Sequence, residues 1–232
     1  MNFGPILSQW PVFAAGFVVT LTASVLGSAL ALAIGVVLGI ASQLGNRALN
    51  VAVRAFVYVF RGIPLLVLLF FAFYALPIVG LVLPDIVAGI LALGVVSGAY
   101  MVEVVRSALE SVDQSQSEAA QMDGASVWVI VSRIVFPQAM PQMVAPLTND
   151  VTALVMATSL LSVISISDLT RAAQLTVGIY FDPFESYVAL GLLYLIMTAA
   201  LTWFSIRLER WLSRSLFSSP AARRLQRDLA PR

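Results

Sequence analysis

Apolar positions in this chain come in long unbroken runs rather than in alternating or heptad patterns. Between Met1 and Asn46 there is no charged residue, and Phe17 to Ile40 is apolar and long enough to cross roughly 30 Å of hydrocarbon as one helix. Four further runs predict spans at about Phe56–Leu76, Ile86–Val105, Met143–Ile166 and Tyr187–Ile206, giving five. A secretory signal is the alternative for the first run, but a basic leader is missing and the run exceeds the length of an h-region. Composition agrees with an integral membrane protein: of 232 residues 60% are hydrophobic and 11% charged, and mean hydropathy is +0.95.

Arginine placement orients the spans, because short loops rich in Lys and Arg stay on the cytoplasmic side. A cytoplasmic C-terminus puts Arg207, Arg210, Arg214, Arg223, Arg224, Arg227 and Arg232 inside, with Arg47, Arg54, Arg106 and Arg133 from the two inner loops. Only Arg171 then faces outward, so the expected topology is N-out and C-in. Residues 1–212 read as a single transmembrane domain with a cytoplasmic loop at about 107–139, and residues 213–232 as a basic cytoplasmic tail.

The chain contains no His, no Cys and no Lys. Zinc sites, thiolate-held clusters, cysteine nucleophiles and His-based triads are therefore excluded, as is a phosphate-binding P-loop lysine. If this protein's work costs ATP, the nucleotide site lies on another polypeptide. The net charge of +1 gives no basic face for nucleic acid.

Within the first span Ala23, Gly27, Ala31, Gly35 and Gly39 recur every four residues, and Gly94 and Gly98 repeat the spacing in the third. Stripes of small side chains let helices approach closely where lipid supplies no hydrophobic drive, so they read as packing surfaces rather than as a pore lining.

The connection between spans three and four is too long to be a passive link. Ser115 to Asp123 reads as a short polar helix, and Gly124 supplies the permissive backbone for a sharp turn. A second short helix follows from Ser126 as N-cap, with Val127, Ile130, Val131 and Ile134 on one face, and Pro137 and Pro141 end it. Two such helices make either a rigid knob for another protein or an amphipathic hairpin on the headgroups.

Glu118-Ala119-Ala120, a glycine four residues beyond at Gly124, and then Ile134 and Pro137 resemble the EAA loop of ABC importer permeases. Phe60-Arg61-Gly62-Ile63-Pro64-Leu65-Leu66-Val67, Ala99-Tyr100 with Glu103 and Arg106, Pro137-Gln138-Ala139, Thr158-Ser159-Leu160, Asp168 to Ala173 and Phe184 to Tyr187 resemble the polar amino acid branch. The resemblance runs from about Gly16 to about Arg210. It implies an all-α, five-span type I permease fold in which the loop, through Glu118, Ala119, Ala120, Gly124, Ile134 and Pro137, couples to ATPase subunits. It further implies a second permease subunit, identical or homologous, a soluble solute-binding protein, and ATP with Mg²⁺ on the ATPase rather than on this chain. Where the branch commonly has a Lys, this chain has Met156; Leu68 and Tyr58 likewise stand where polar groups are common.

Several residues carry two readings. Arg61 near the inner end of span two either snorkels to the headgroups or lines the pathway, and Pro64 kinks that helix. Glu103 pairs with Arg106 at helical spacing or, with Tyr100, serves the substrate. Asp150 stands at the cytoplasmic mouth of the pathway or in an inter-subunit contact. Thr152, Met156, Ser159 and Ser162 fall near one face of span four and are candidates for its pathway wall. Ser167 to Glu185 reads as an outer loop in which Asp168, Arg171, Asp182 and Glu185 dock a binding protein or are merely solvated. An ATP-independent carrier or channel is the other functional class, but no repeat between the halves supports it.

Overall fold

The computed structural model describes residues 4–44 and 47–217, and these fold as a bundle of helices. A single turn, α1 (Gly4–Ser8), precedes α2 (Trp10–Ala41), which carries Pro11 in its first turn, where the missing N–H costs nothing. The helix α3 (Arg47–Gly62) is followed by α4 (Leu65–Phe70), which winds on through a π turn at Phe71–Ala75 and a 3₁₀ turn at Leu76–Val79. Next come α5 (Asp85–Glu110), α6 (Gln114–Met122) and α7 (Val127–Ile130). A π turn at Val131–Val135 leads into α8 (Phe136–Ala157), which tightens into a 3₁₀ stretch at Thr158–Ile164. The chain closes with α9 (Leu169–Tyr180) and α10 (Pro183–Phe217).

Four of these units are long and apolar enough to span a membrane: Trp10–Ala41, Asp85–Glu110, Val127–Ile164 and Pro183–Leu212. The fifth is not the continuous helix expected at 56–76 but two segments, Arg47–Gly62 and Leu65–Val79, that meet at 97°. Pro64 does more than kink it. Proline disfavours helical backbone at Ile63 and offers no N–H, so the helix stops at Gly62, and Pro64 itself sits extended at φ −57°, ψ 136° as the cap of α4.

Two other expectations are corrected. The second short helix does not end at Pro137 and Pro141; it is the start of the fourth span, which runs through Pro137, Pro141 and Pro146. The π turn ahead of Pro137 changes the hydrogen-bond register, and the Gln138 side chain donates to the Ile134 carbonyl at 2.9 Å. The stretch after Ser167 is not a loop but α9, capped by Asp168 and burying Leu169, Ala172, Ala173 and Thr176 at i, i+3, i+4, i+7 spacing. At the far end, α10 continues past 212 to Phe217; Arg223, Arg224, Arg227 and Arg232 lie outside the described residues.

The small-residue stripes pack α2 against α5. A methyl added at Gly35 would lie 2.6 Å from Met101 Cβ, one at Gly39 2.5 Å from Val105 Cγ1, one at Gly94 2.6 Å from Leu30 Cδ2 and one at Gly98 2.9 Å from Ile34 Cβ. Each helix thus supplies large side chains for the other's glycines, which is the close approach that small residues permit in lipid. Buried around this seam are Ala23, Ala31, Leu93, Met101 and, from the fourth span, Leu154 and Leu161. Packed less deeply, α10 exposes Leu192, Leu195, Ile196, Trp203 and Phe204, and is tied to α8 by a hydrogen bond between the Thr148 and Ser205 hydroxyls.

Candidate functional site

The break in the second span opens a cavity of about 440 Å³. Arg61 to Leu65 form one wall, Val96, Ser97 and Tyr100 of α5 a second, and Asp150, Ala153, Leu154 and Ala157 of α8 the third. Unwound backbone at membrane depth persists only where it is buried in protein or lines a polar space, and the broken turn at Gly62–Pro64 does the latter. The Arg61 guanidinium lies 4.7 Å from the centre of the Tyr100 ring, a cation–π placement that offsets part of the cost of an arginine in a membrane span. Asp150 faces the same cavity, and its buried Oδ2 accepts no hydrogen bond from the described residues. Among the described residues Arg61 and Asp150 make no ion pair with each other, so one cation and one anion line the cavity unneutralised by direct contact.

A second cavity of about 450 Å³ shares the Arg61–Gly62 and Tyr100 wall and adds Arg54, Tyr58 and Glu103. Here the bland reading of Glu103 has structural support. Arg106 reaches Glu103 Oε2 at 2.6 Å and also holds Glu110 through both carboxylate oxygens at 2.8 and 2.9 Å. Glu110, at i+4 from Arg106, is thus a second partner beside the expected Glu103, and helical spacing alone discloses it.

The wall supplied by the fourth span differs from the expected one. Residues 150, 153, 154 and 157 share one helical face, whereas Thr152, Met156, Ser159 and Ser162 lie outside this lining. The Thr152 hydroxyl donates to the Thr148 carbonyl and Ser162 to the Ser159 carbonyl, so both are satisfied within their own helix. Met156 is 53% exposed on another face, and after Thr158 the tighter 3₁₀ winding breaks the period that put Ser159 and Ser162 in line with it.

The four outer charges also separate. Asp168 is wholly buried and cannot dock a partner from this position; one oxygen accepts the Arg171 N–H at 2.8 Å and so caps α9. Burial pushes its carboxyl above the usual carboxylate range, against the helix N–H groups that hold it down. Its backbone rests on Gly16, where an added methyl would lie 2.8 Å from the Asp168 carbonyl oxygen. Asp182 and Glu185 stand at the start of α10, where acids favour the helix dipole, and with Arg171 they are half-buried.

At the opposite end, the turn after α6 explains the spacing between Ala120 and Gly124. The Gly124 N–H reaches the Gln121 carbonyl and the Ala125 N–H the Ala120 carbonyl, both at 3.0 Å, which is a Schellman closure. That closure puts the left-handed residue four positions beyond the carbonyl it satisfies, and Gly124 has φ +81°. Ala120 and Ala125 turn inward onto the cluster around Val105, Ile130 and Val135, while Glu118 and Ala119 stay exposed. Two side-chain bonds pin α6 to the fourth span and α5 to the same helix: Gln138 to Gln116 at 2.7 Å and Ser111 to Gln142 at 2.8 Å. Ile134 and Pro137 lie in the π turn and the first turn of α8, beside that pin. Exposed Met122, Val127 and Trp128 flank the turn.

The described residues thus bring together a broken span beside a charged cavity and a Schellman-closed turn joined directly to the cavity wall. Residues 35–218 match the family of binding-protein-dependent transport system inner membrane components, and the chain belongs to that family of ABC importer permeases. It is 34% identical over 202 residues to the glutamine transport system permease protein GlnP of Escherichia coli K12, covering 86% of this chain and 92% of that one. It is 33% identical over 199 residues to the probable glutamine ABC transporter permease protein GlnP of Bacillus subtilis, covering 84% and 90%. In the crystal structure of an amino acid ABC transporter with histidines, one chain superposes with a TM-score of 0.82 at 27% identity, over 90% of this chain and 98% of its own.

Proposed function

We propose that this permease carries an amino acid, with its termini disposed N-out and C-in and a second permease subunit completing the path. A soluble binding protein delivers the solute outside; ATPase subunits, holding ATP and Mg²⁺, act on the α6–α7 turn inside. The observation that carries the amino acid reading is the cavity at the broken span, where Arg61 and Asp150 offer a cation and an anion to the two ends of a zwitterion. Relatives named for glutamine, and a similar solved transporter named for amino acids, support it.

Mechanically the turn and the cavity belong to one element. From Val127 to Asp150 the chain is helical without a gap, about 35 Å at 1.5 Å per residue, so displacement of the turn moves the Asp150 wall against Arg61. The π turn and three prolines give that lever compliant points. Alternating access then amounts to opening and closing the cavity between the fourth span and the broken second.

Reconstitution tests this. The chain expressed with the ATPase and binding protein encoded beside it, in proteoliposomes, is expected to take up a labelled amino acid only with ATP and the binding protein present. Uptake without any ATPase would establish the independent carrier instead.

A further inference from the structure

We propose that the cleft between α2 and α10 binds one acyl chain of an anionic phospholipid, whose phosphate is held by Arg207. Both helices lean on the fourth span and scarcely touch each other, which leaves a space of about 550 Å³. It is lined by side chains within residues 17–32 of α2, by Val151 and Val155 of α8, and by side chains within residues 196–201 of α10. The Ser24 and Ser28 hydroxyl oxygens in that wall are buried, so the surface on offer is hydrocarbon, and such a space stays dry. Left empty, it would cost its lining the dispersion contacts of one side. Leu21, Val25 and Ile196 are exposed along it, which opens the cleft sideways to the bilayer.

Shape selects a chain over a helix. Along α2 the lining covers about 22 Å at 1.5 Å per residue, so the space averages roughly 25 Å² in cross-section, whereas a helix about 10–12 Å wide needs roughly 80–110 Å². Charge marks the headgroup end. Ile196, Ala200, Trp203 and Arg207 share one face of α10 at i, i+4, i+7 and i+11. The exposed Arg207 guanidinium stacks 4.2 Å from the centre of the Trp203 ring and, among the described residues, makes no ion pair. It stands about 9 Å along the helix from Leu201, so a chain entering the cleft at its Leu32–Leu201 end leaves its phosphate beside Arg207, with Trp203 at the depth where tryptophan meets headgroups. The guanidinium fork suits a phosphate, and the exposed Arg210 at i+3 adds a second positive charge that favours a lipid of net negative charge. Because Val151 and Val155 adjoin Asp150 and Leu154 in sequence, this stretch of the fourth span meets the charged cavity on one side and the lipid chain on the other.

The test uses the permease with its ATPase and any second permease subunit, in phosphatidylcholine nanodiscs doped with phosphatidylglycerol or phosphatidylcholine that carries a photoactivatable diazirine in one acyl chain. After irradiation, adducts are mapped by peptide mass spectrometry, and assembly of every variant is checked by co-purification of the ATPase. Phosphatidylglycerol adducts are expected on the cleft residues of α2 and α10, at least fivefold above those on Leu195 and Ile206, which are exposed on the opposite face of α10, and at least threefold above phosphatidylcholine adducts in the cleft. Ala200→Phe, which fills the cleft from an exposed small position, should cut cleft adducts at least fivefold, and Arg207→Gln should bring phosphatidylglycerol down to the phosphatidylcholine level. Adducts as frequent at Leu195 and Ile206 as in the cleft would show only bulk lipid around the protein and overturn the site. A cleft free of adducts in an assembled complex would mean that protein covers it, which overturns the lipid occupant. Equal yields from the two lipids, unchanged in Arg207→Gln, would overturn the assignment of the phosphate to Arg207.

Discussion

The seam between α2 and α5 and the fourth span are both membrane helices, yet they are built on opposite principles. The seam joins two uninterrupted helices whose glycines receive the partner's Leu30, Ile34, Met101 and Val105, leaving no room for a methyl at Gly35, Gly39, Gly94 or Gly98. The fourth span changes winding three times and carries three prolines, and its inner face borders open space beside the broken second span. Regular geometry is spent where two helices must not move relative to each other. Irregular geometry falls where a wall must hold unpaired backbone against a cavity and follow the turn beyond α6. In the cycle proposed above, the seam is the frame and the fourth span the moving wall.

Not every position of the stripe belongs equally to that frame, and the largest expected effects separate them. A methyl at Gly35 meets Met101 Cβ at 2.6 Å and its backbone carbon at 3.1 Å, so Gly35→Ala must push the helices apart, at about 1–3 kcal/mol for overpacking. Gly27 meets only Leu154 and Leu93 side chains at 3.5 to 3.7 Å, ordinary contact, so Gly27→Ala is expected to be neutral or to stabilise by up to about 0.5–1 kcal/mol from helix propensity. Gly94→Ala should fall between, because the methyl meets Leu30 side-chain atoms alone, Cδ2 at 2.6 Å, Cγ at 2.8 Å and Cβ at 3.0 Å, and no backbone of the partner helix. Melting temperatures of the purified complex, read by fluorescence-detected gel filtration, rank the three. Equal losses at Gly27 and Gly35 would show that the stripe is not the frame described.

The same contrast explains what was legible in the sequence. Apolar runs and small-residue stripes declare regular helices, so spans one, three and five are legible, and the stripes pack α2 against α5 as their spacing predicts. Irregular stretches hide their geometry. Pro64 announces a disturbance but not 97°, because the angle depends on what fills the space beside Ile63. Pro137 and Pro141 looked like terminators because in water they would be; in a membrane the neighbouring carbonyls find Gln138 and a π register instead. The helix α9 was missed although Asp168 three residues before Arg171, with Leu169, Ala172, Ala173 and Thr176 at helical spacing, could have disclosed it. For the cavity, Arg61 and Asp150 are legible because charge in an apolar run is conspicuous, and Tyr100 only through the resemblance carried by Ala99-Tyr100. Ala153 and Ala157 were not, since a wall of alanines has no signature of its own.

The turn beyond α6 sharpens the comparison at intermediate size. A Cβ at Gly124 meets nothing within 4 Å, so steric exclusion plays no part, and a charge there is exposed rather than buried. What constrains the position is φ +81°, which costs a non-glycine residue roughly 1–2 kcal/mol, least for Asn and most for a β-branched residue. The expected order of lost ATPase stimulation by loaded binding protein is Gly124→Val, then Gly124→Ala, then Gly124→Asn, with melting temperature nearly unchanged throughout. Gly124→Asp tests docking in addition, through charge beside exposed Met122 and Trp128. If Val and Asn behaved alike, backbone strain would not be what the turn protects.

The smallest expected effect lies at the first turn of α6, where the solvated end of the moving element meets pH. Asp113 caps that helix by accepting the Ser115 N–H at 2.9 Å, and this bond holds its carboxyl below the usual carboxylate range. A depressed acid favours the folded cap while ionised. The contribution is therefore complete at neutral pH, starts to fall once pH drops to the ordinary carboxylate pKa, and is gone below the depressed folded value. In Asp113→Asn the side-chain oxygen still accepts but no longer titrates, whereas Asp113→Ala removes the cap at every pH. Amide exchange at Ser115, corrected for intrinsic rates, should then be protected in wild type only above acidic pH, in Asn throughout and in Ala nowhere. Among the described residues no titrating group joins this turn to the seam at Gly35 and Gly94, so amides there should show no such pH step; a step shared by both regions would mean that loss of the cap spreads into the frame through the cluster around Val105.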